Sequence, residues 1–377
     1  MNAMRAIGTM RTYLSYGPAL VPAAVMAFVL TVLMVPATAT AQEYSLYGDL
    51  ELGTTYARFR SPPETVETLI TDTTLRLNHL LLYDWGEMVV RHRLTVFDLG
   101  DTEGDPLRHD LQHAAAVMWP ADTLTVQVGR HSLPWGMGSA FFPADALHPE
   151  RTRHGDDRGF DGASTTWTIS PRWTMAAAGR VDTATGSTEE PLRDLRWAGL
   201  LSGYLGRVDV MVSTVYQPDE VLRPAAGVSL PLGGVILHGE GSLELAGEKG
   251  PAVATGMHYT LFAGFHSVTL AVEHLYTEQL PPVFTGFSEL STMQAQHHPT
   301  GRHFLYPMIF WEGDGRWSAD VSALIDLEEA RALLRLELAR HILGSLTLAA
   351  EGLLLVDEDS GEGPREGIAR FSARVHF

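Results

Sequence analysis

Two stretches of this sequence gather the residue types from which reaction centres are built. "QHHPTGRH" (296–303) brings His297, His298 and His303 into one short segment, and "HPERTRHGDDRG" (148–159) sets His148, His154, Asp156 and Asp157 among three arginines. The first could ligate a metal through imidazole nitrogens. Spacing alone does not fix a coordination geometry, however, and no carboxylate sits close in sequence, so the segment reads as an exposed polar loop. The second could hold an Asp–His pair for general-base work, but a loop whose opposite charges pair internally is the simpler reading. A hydrolase needs a nucleophile or an activated water beside a base, yet the chain contains no G-x-S-x-G elbow, no H-E-x-x-H and no Walker loop. There is also no cysteine, which removes disulfides, thiolate metal sites and haem attached at Cys-x-x-Cys-His. The expectation is a protein that is not an enzyme and that carries no catalytic residue, no metal and no cofactor.

What remains is architecture. The first residues differ from all that follow: Arg5 and Arg11 are their only charges, "PALVPAAVMAFVLTVLMVP" (18–36) is an apolar block, and Ala39-Thr40-Ala41 offers small residues ahead of Gln42. That is the layout of a cleaved secretory signal peptide over 1–41, with 42–377 as the mature chain. Gln42, not Cys, follows the cut, which argues against a lipoprotein. The formal charge is −18, and losing a segment with two arginines and no acid makes the mature chain more acidic still. Phosphate-rich nucleic acid is therefore a poor partner.

Beyond residue 42 the dominant signal has period two. In "TLTVQVG", Leu124, Val126 and Val128 alternate with Thr123, Thr125 and Gln127; in "SVTLAVEHL", Val268, Leu270 and Val272 alternate with Ser267, Thr269, Ala271 and Glu273. Such strands fit a sandwich, a solenoid or a transmembrane barrel. Three observations choose the barrel. Candidate strands run to about ten residues, enough to cross a bilayer when tilted. Short connections near 83–87, 119–122, 170–172, 231–234, 312–315 and 341–344 alternate with longer ones at 59–67, 99–108, 131–158, 181–192, 278–301 and 356–365. Finally, "GIARFSARVHF" ends the chain with Ala369, Phe371, Ala373, Val375 and Phe377 on one face and Arg370 and Arg374 on the other. A last strand ending in an aromatic resembles the C-terminal signature of outer-membrane barrels, which implies recognition of Phe377 by the barrel-assembly machinery. The fold expected is all-β: a transmembrane antiparallel up-and-down β-barrel of about 18 strands, with 16 as the alternative. Closure is demanded because hydrocarbon leaves no partner for an unpaired strand edge.

Alternation turns the polar faces inward, and a barrel of this size leaves an aqueous channel. The expected lining comprises Arg76, Arg91, Arg93, Arg196, Arg207, Arg331, Arg335, Arg370 and Arg374, with Asn78, Asp209, Asp320 and Glu337 among them. Two readings stand open: an arginine wall that favours anions, or a mixed wall in which arginines pair with inward acids. The acidic segments "DLGDTEGD" (98–105) and "DEDSGEGPRE" (357–366) read as solvated loops or as sites for cations that bridge lipopolysaccharide.

One segment obeys neither period. "GRHSLPWGMGSAFFPADALHP" (129–149) opens loop 131–158, and Leu133, Trp135, Met137, Phe141, Phe142 and Leu147 are too apolar for a solvated coil. Folding inward hides them and narrows the pore, with Arg130, Trp135, Phe141, Phe142 and Asp145 as the expected constriction. Arg130 has two readings, a structural bond to the loop or a contact with solute. Gly129, Arg130, Trp135, Gly136, Pro143, Asp145 and Pro149 resemble the motif of alginate-export-like porins and related outer-membrane porins, with His131 where Gln is usual and Ala144 interrupting the closing turn. The resemblance implies an outer-membrane porin of a Gram-negative bacterium, open to passive diffusion of small hydrophilic solutes, anionic or saccharide among them. Its surroundings would be outer-membrane lipid and lipopolysaccharide. The alternative is a structural or partner-binding barrel of an export or electron-transfer complex.

Overall fold

The computed structural model describes residues 43–377 except 62–63, 99–106, 134, 139, 146–158, 182–194, 218–220, 246–249, 279–300 and 358–365. The expected signal peptide (1–41), His148, His154, Asp156, Asp157, His297, His298 and both acidic segments over most of their length lie outside the described residues.

Eighteen strands form one antiparallel sheet in which each strand pairs with its neighbours in sequence. They are β1 (Glu43–Ser61), β2 (Glu64–Tyr83), β3 (Gly86–Asp98), β4 (Leu107–Ala121), β5 (Leu124–His131), β6 (Phe160–Ser170), β7 (Trp173–Val181), β8 (Leu195–Leu205) and β9 (Val208–Gln217). There follow β10 (Val221–Leu232), β11 (Val235–Ser242), β12 (Ala252–Ala263), β13 (His266–Thr277), β14 (His303–Gly313), β15 (Trp317–Asp326), β16 (Arg331–Leu343), β17 (Leu346–Asp357) and β18 (Glu366–His376). β18 closes on β1 from Asp49↔His376 to Arg58↔Gly367, so no edge strand remains and every strand has two partners. The sheet has the 18 strands expected from the sequence, not the 16 kept as the alternative.

Side chains keep the alternation. On β12, Ala252 and Ala254 are buried while Val253, Met257, Tyr259 and Leu261 are exposed; on β18, Ile368 and Arg370 are buried while Phe371 and Val375 are exposed. The outside is thus largely apolar, and Trp85, Trp119, Trp167, Tyr204, Phe262, Phe265 and Phe377 lie exposed at or near its short-turn end. Aromatic rings in that place form the girdle of a membrane–water interface.

Two boundaries differ from expectation. Residues 59–61 and 64–67 are not loop but the paired ends of β1 and β2, which run 19 and 20 residues. Pro307 does sit in a strand, β14, and the β14–β15 ladder skips there, running from Leu305↔Ile325 to Met308↔Ser322. A proline has no N–H to give, and the chain accommodates it as a local gap rather than a strand end.

Candidate functional site: the lumen and its inward loop

The inward face of β1, β2 and β16–β18 is a network of opposite charges. Glu51, 4% exposed, accepts from three arginines: Arg76 Nη1 at 2.9 Å, Arg370 Nη2 at 3.2 Å and Arg374 Nη2 at 2.7 Å. Arg76 also reaches Asp49 at 2.6 Å, and Arg370 reaches Asp72 at 2.9 Å. Arg370 spans β1 to do so by passing over Gly53, where a Cβ would stand 2.8 Å from Nη2. On β16, Arg335 donates to Glu351 and Glu337, each at 2.7 Å. Glu51, Asp72, Arg370 and Arg374 join across the seam between the first and last strands, so the network fastens the closure as it faces the lumen. Of the two readings left open, this part of the wall follows the second: its arginines are engaged by acids.

The remaining expected lining residues are distributed as follows. Arg91 and Arg93 share the inward face of β3 with Thr95, and Arg93 stands opposite Asp110. Arg196 alternates with buried Ala198 on β8 and lies opposite Arg180 of β7, an inward arginine that the pattern did not single out. Asn78 reaches Tyr47 O at 3.5 Å. Arg331 sits at the long-loop rim, 2.8 Å from Glu329. Arg207 lies outside the wall: it is exposed in the turn before β9, where the strand stops one residue short of it.

Across the lumen, the described part of loop 131–158 lies against the wall. Trp135, 3% exposed, packs with Ala144, Phe160, Ala176, Ala178, Ala198, Met211, Val215 and Ala225. Phe141 packs with Ala254, Leu275, Phe304, Tyr306, Met308 and Leu324. Inward alanines on β7, β8, β10 and β12 leave the volume that these rings fill, a signal readable in "MAAAGR" once the inward face is known. The turn closes on itself: Asp145 N donates to Phe142 O at 2.9 Å, and Trp135 N donates to Asp145 Oδ2 at 3.3 Å. Gly136 holds a φ of +123° that other residues rarely adopt, and Phe142 lies where its Cβ would be.

Two wall carboxylates moor the loop. Glu240 of β11 accepts from Met137 N, from Ala144 N at 3.3 Å and from Gly138 N. Glu273 of β13 accepts from Ala140 N at 3.0 Å and Phe141 N at 3.1 Å. Both are buried, and His238 Nε2 lies 3.2 Å from Glu273 Oε1. The two side chains meet above Gly256 of β12, where a Cβ would stand 2.5 Å from Glu273 Cγ and 2.6 Å from His238 Nε2. Sequence reasoning placed Glu273 on a polar face but missed its role, together with Glu240 and His238. The available signal was "LHGEGS", two titratable residues two apart on the inward face of a glycine-rich strand.

Arg130 departs from the expected constriction. It alternates with exposed Val128 on the outward face, whereas the neighbouring His131 is buried inward and bonds Ser164 Oγ at 2.7 Å. Arg130 forks onto Asp161, Nε to Oδ1 at 2.8 Å and Nη2 to Oδ2 at 2.6 Å, and gives Nη1 to Leu111 O at 2.9 Å. The pleat decides this: one residue before an inward histidine, the side chain must point out. Arg130 clasps β4, β5 and β6 and does not meet the pore.

His303 of the histidine-rich segment also faces outward, paired with His274 at 3.2 Å between Nδ1 and Nε2. Among the described residues no group of three or more His, Asp or Glu side chains is arranged to hold a metal.

In sequence, no protein-family model and no curated protein matches the chain. In structure it is similar to OccAB4 of Acinetobacter baumannii, with TM-score 0.60 and 10% identity over 90% of this chain and 99% of that one. It is similar to OccK9 (OpdG) of Pseudomonas aeruginosa, with TM-score 0.59 and 12% identity over 89% and 99%. A BenF-like porin from Pseudomonas fluorescens gives TM-score 0.57 and 11% identity over 90% and 100%. The likeness spans nearly the whole of each chain and establishes the fold: a closed 18-strand antiparallel barrel.

Proposed function

We propose that this protein is a passive channel of the Gram-negative outer membrane, conducting small hydrophilic solutes through a lumen narrowed by loop 131–158. One observation carries the reading: an apolar loop core packed on one side of a closed barrel, facing a charged, water-accessible wall on the other. A barrel built only to anchor or scaffold has no need to moor a bulky loop to its inner wall through buried carboxylates. Solved barrels of the same fold include one described as a BenF-like porin, and the stretch 129–149 resembles alginate-export-like porins; both support transport. We place anionic and saccharide solutes in the proposed class, since Arg374 keeps a 40% exposed side chain toward the lumen and arginine rings favour anions. Trp135, Phe141, Phe142 and Asp145 are proposed to build the constriction, and Arg76, Arg91, Arg93, Arg196, Arg335, Arg370 and Arg374 to line the passage. Lipid and lipopolysaccharide meet the outer face, and the assembly machinery reads Phe377. Purified protein in planar bilayers conducts in discrete steps, and deleting 134–146 enlarges them. Silent bilayers from a folded, heat-modifiable barrel refute the channel.

A specific feature favours a second reading, a barrel with a protein partner in an export or electron-transfer complex. Tyr44, His79, His92 and His109 form an outward-facing polar row, with Tyr44 Oη 2.9 Å from His79 Nδ1 and His92 Nδ1 3.1 Å from His109 Nε2. The buried His79 Nε2 has no hydrogen-bond partner among the described residues, and hydrocarbon gives it none. This reading requires low conductance for the barrel alone and a partner that co-purifies with it.

A further inference from the structure

The mooring of the loop has a chemical condition attached, and it rests on the channel reading above. Both oxygens of Glu240 face loop N–H groups: Oε2 receives Met137 N and Oε1 receives Ala144 N, with Gly138 N directed at the same carboxylate. A carboxylate only accepts, whereas a carboxylic acid must place one O–H. A proton on either oxygen therefore points a donor at a donor and breaks a loop contact. Glu273 is arranged differently. Its Oε2 takes Ala140 N and Phe141 N, while Oε1 faces His238 Nε2. The His238 side chain is 1% exposed, and neither ring nitrogen completes a hydrogen bond among the described residues.

We propose that Glu240 and Glu273 are positioning residues of the channel, holding the constriction loop only while Glu240 is ionised. Six strands and the loop itself surround the clamp, β14 setting Tyr306 directly opposite Glu273. β9 presents Met211 and β10 presents Gly227 beside Glu240, neither of which titrates. β11 contributes His238, and β12 contributes Gly256 and His258, whose ring lies 6.2 Å from that of His238. β13 contributes Glu273. The loop's own acid, Asp145, is bound to Trp135 N within the loop. Among the described residues the cluster contains two carboxylates, two imidazoles and one phenol, and no arginine or lysine.

The experiment follows single-channel steps from neutral to acid pH in wild type and Glu240→Gln. A nitroxide on Phe142→Cys, the sole cysteine of the chain, reports loop mobility by spin resonance without any need for current. Wild type shows larger, noisier steps and a mobile label only on acidification. E240Q, in which the amide NH₂ opposes a loop N–H at all pH values, shows both at neutral pH and loses the transition. A label that stays immobile in acid, or an E240Q profile that matches wild type, overturns the proposal. A label that follows pH in a barrel that never conducts leaves the mooring standing and refutes the channel reading instead.

Discussion

Arg130 shows how far a single residue can be read in isolation. Its place at the end of a strand, next to an apolar loop, suggests a pore contact as readily as a clasp; the pleat and its partners make it a clasp. A guanidinium that forks onto Asp161 and reaches Leu111 O cannot be replaced by an ammonium, which lacks the planar fork. Arg130→Lys is therefore expected to lower barrel stability by about 1–3 kcal/mol in denaturant titrations in lipid vesicles, with step conductance unchanged. Altered conductance at wild-type stability would place the side chain in the pore after all. The identities of Glu240, Glu273 and His238 were in plain view in the sequence, but their meaning was not. A carboxylate on an inward face is ordinary until backbone N–H groups from a loop about a hundred residues away are brought to it.

At the scale of elements, strands and turns were legible because period two is a local property and the turns recur. The inward alanines of β7, β8 and β10 were legible as residues but not as a cradle, since their purpose appears only when Trp135 is laid against them. The loop is consequently a small core of its own, docked inside a larger structure. Trp135→Ala removes the ring that fills this cradle, and such truncations cost about 3–5 kcal/mol in packed cores. The loss falls on docking of the loop, not on the barrel ladder, which continues without it. The expected result is larger and noisier conductance steps with unchanged heat-modifiability on gels. A barrel that melts as a whole would show that the loop is part of the barrel's stability and not a separate unit.

At the scale of the whole molecule, the expectation of an arginine-rich lumen meets a paired wall. Glu51 alone binds three arginines, and each such pair cancels in the far field, so wild type should show only a modest reversal potential in a salt gradient. Arg374→Glu breaks the pair most open to the lumen and leaves Glu51 and Asp49 less compensated, which shifts selectivity toward cations; an unmoved reversal potential would mean that this wall does not control the passage. The sequence by itself determined the fold class and the two faces of its most regular strands, and brought the count to about 18 with 16 still open, because alternation and turn chemistry are written in neighbouring residues and closure follows from the need to pair every backbone group. Only the tertiary structure decided that the inward arginines are neutralised across the β1–β18 seam, that Arg130 points away from the pore, and that two buried carboxylates hold the loop. Each of these depends on residues far apart in the chain meeting in one place, and local pattern carries no information about which distant partner will arrive.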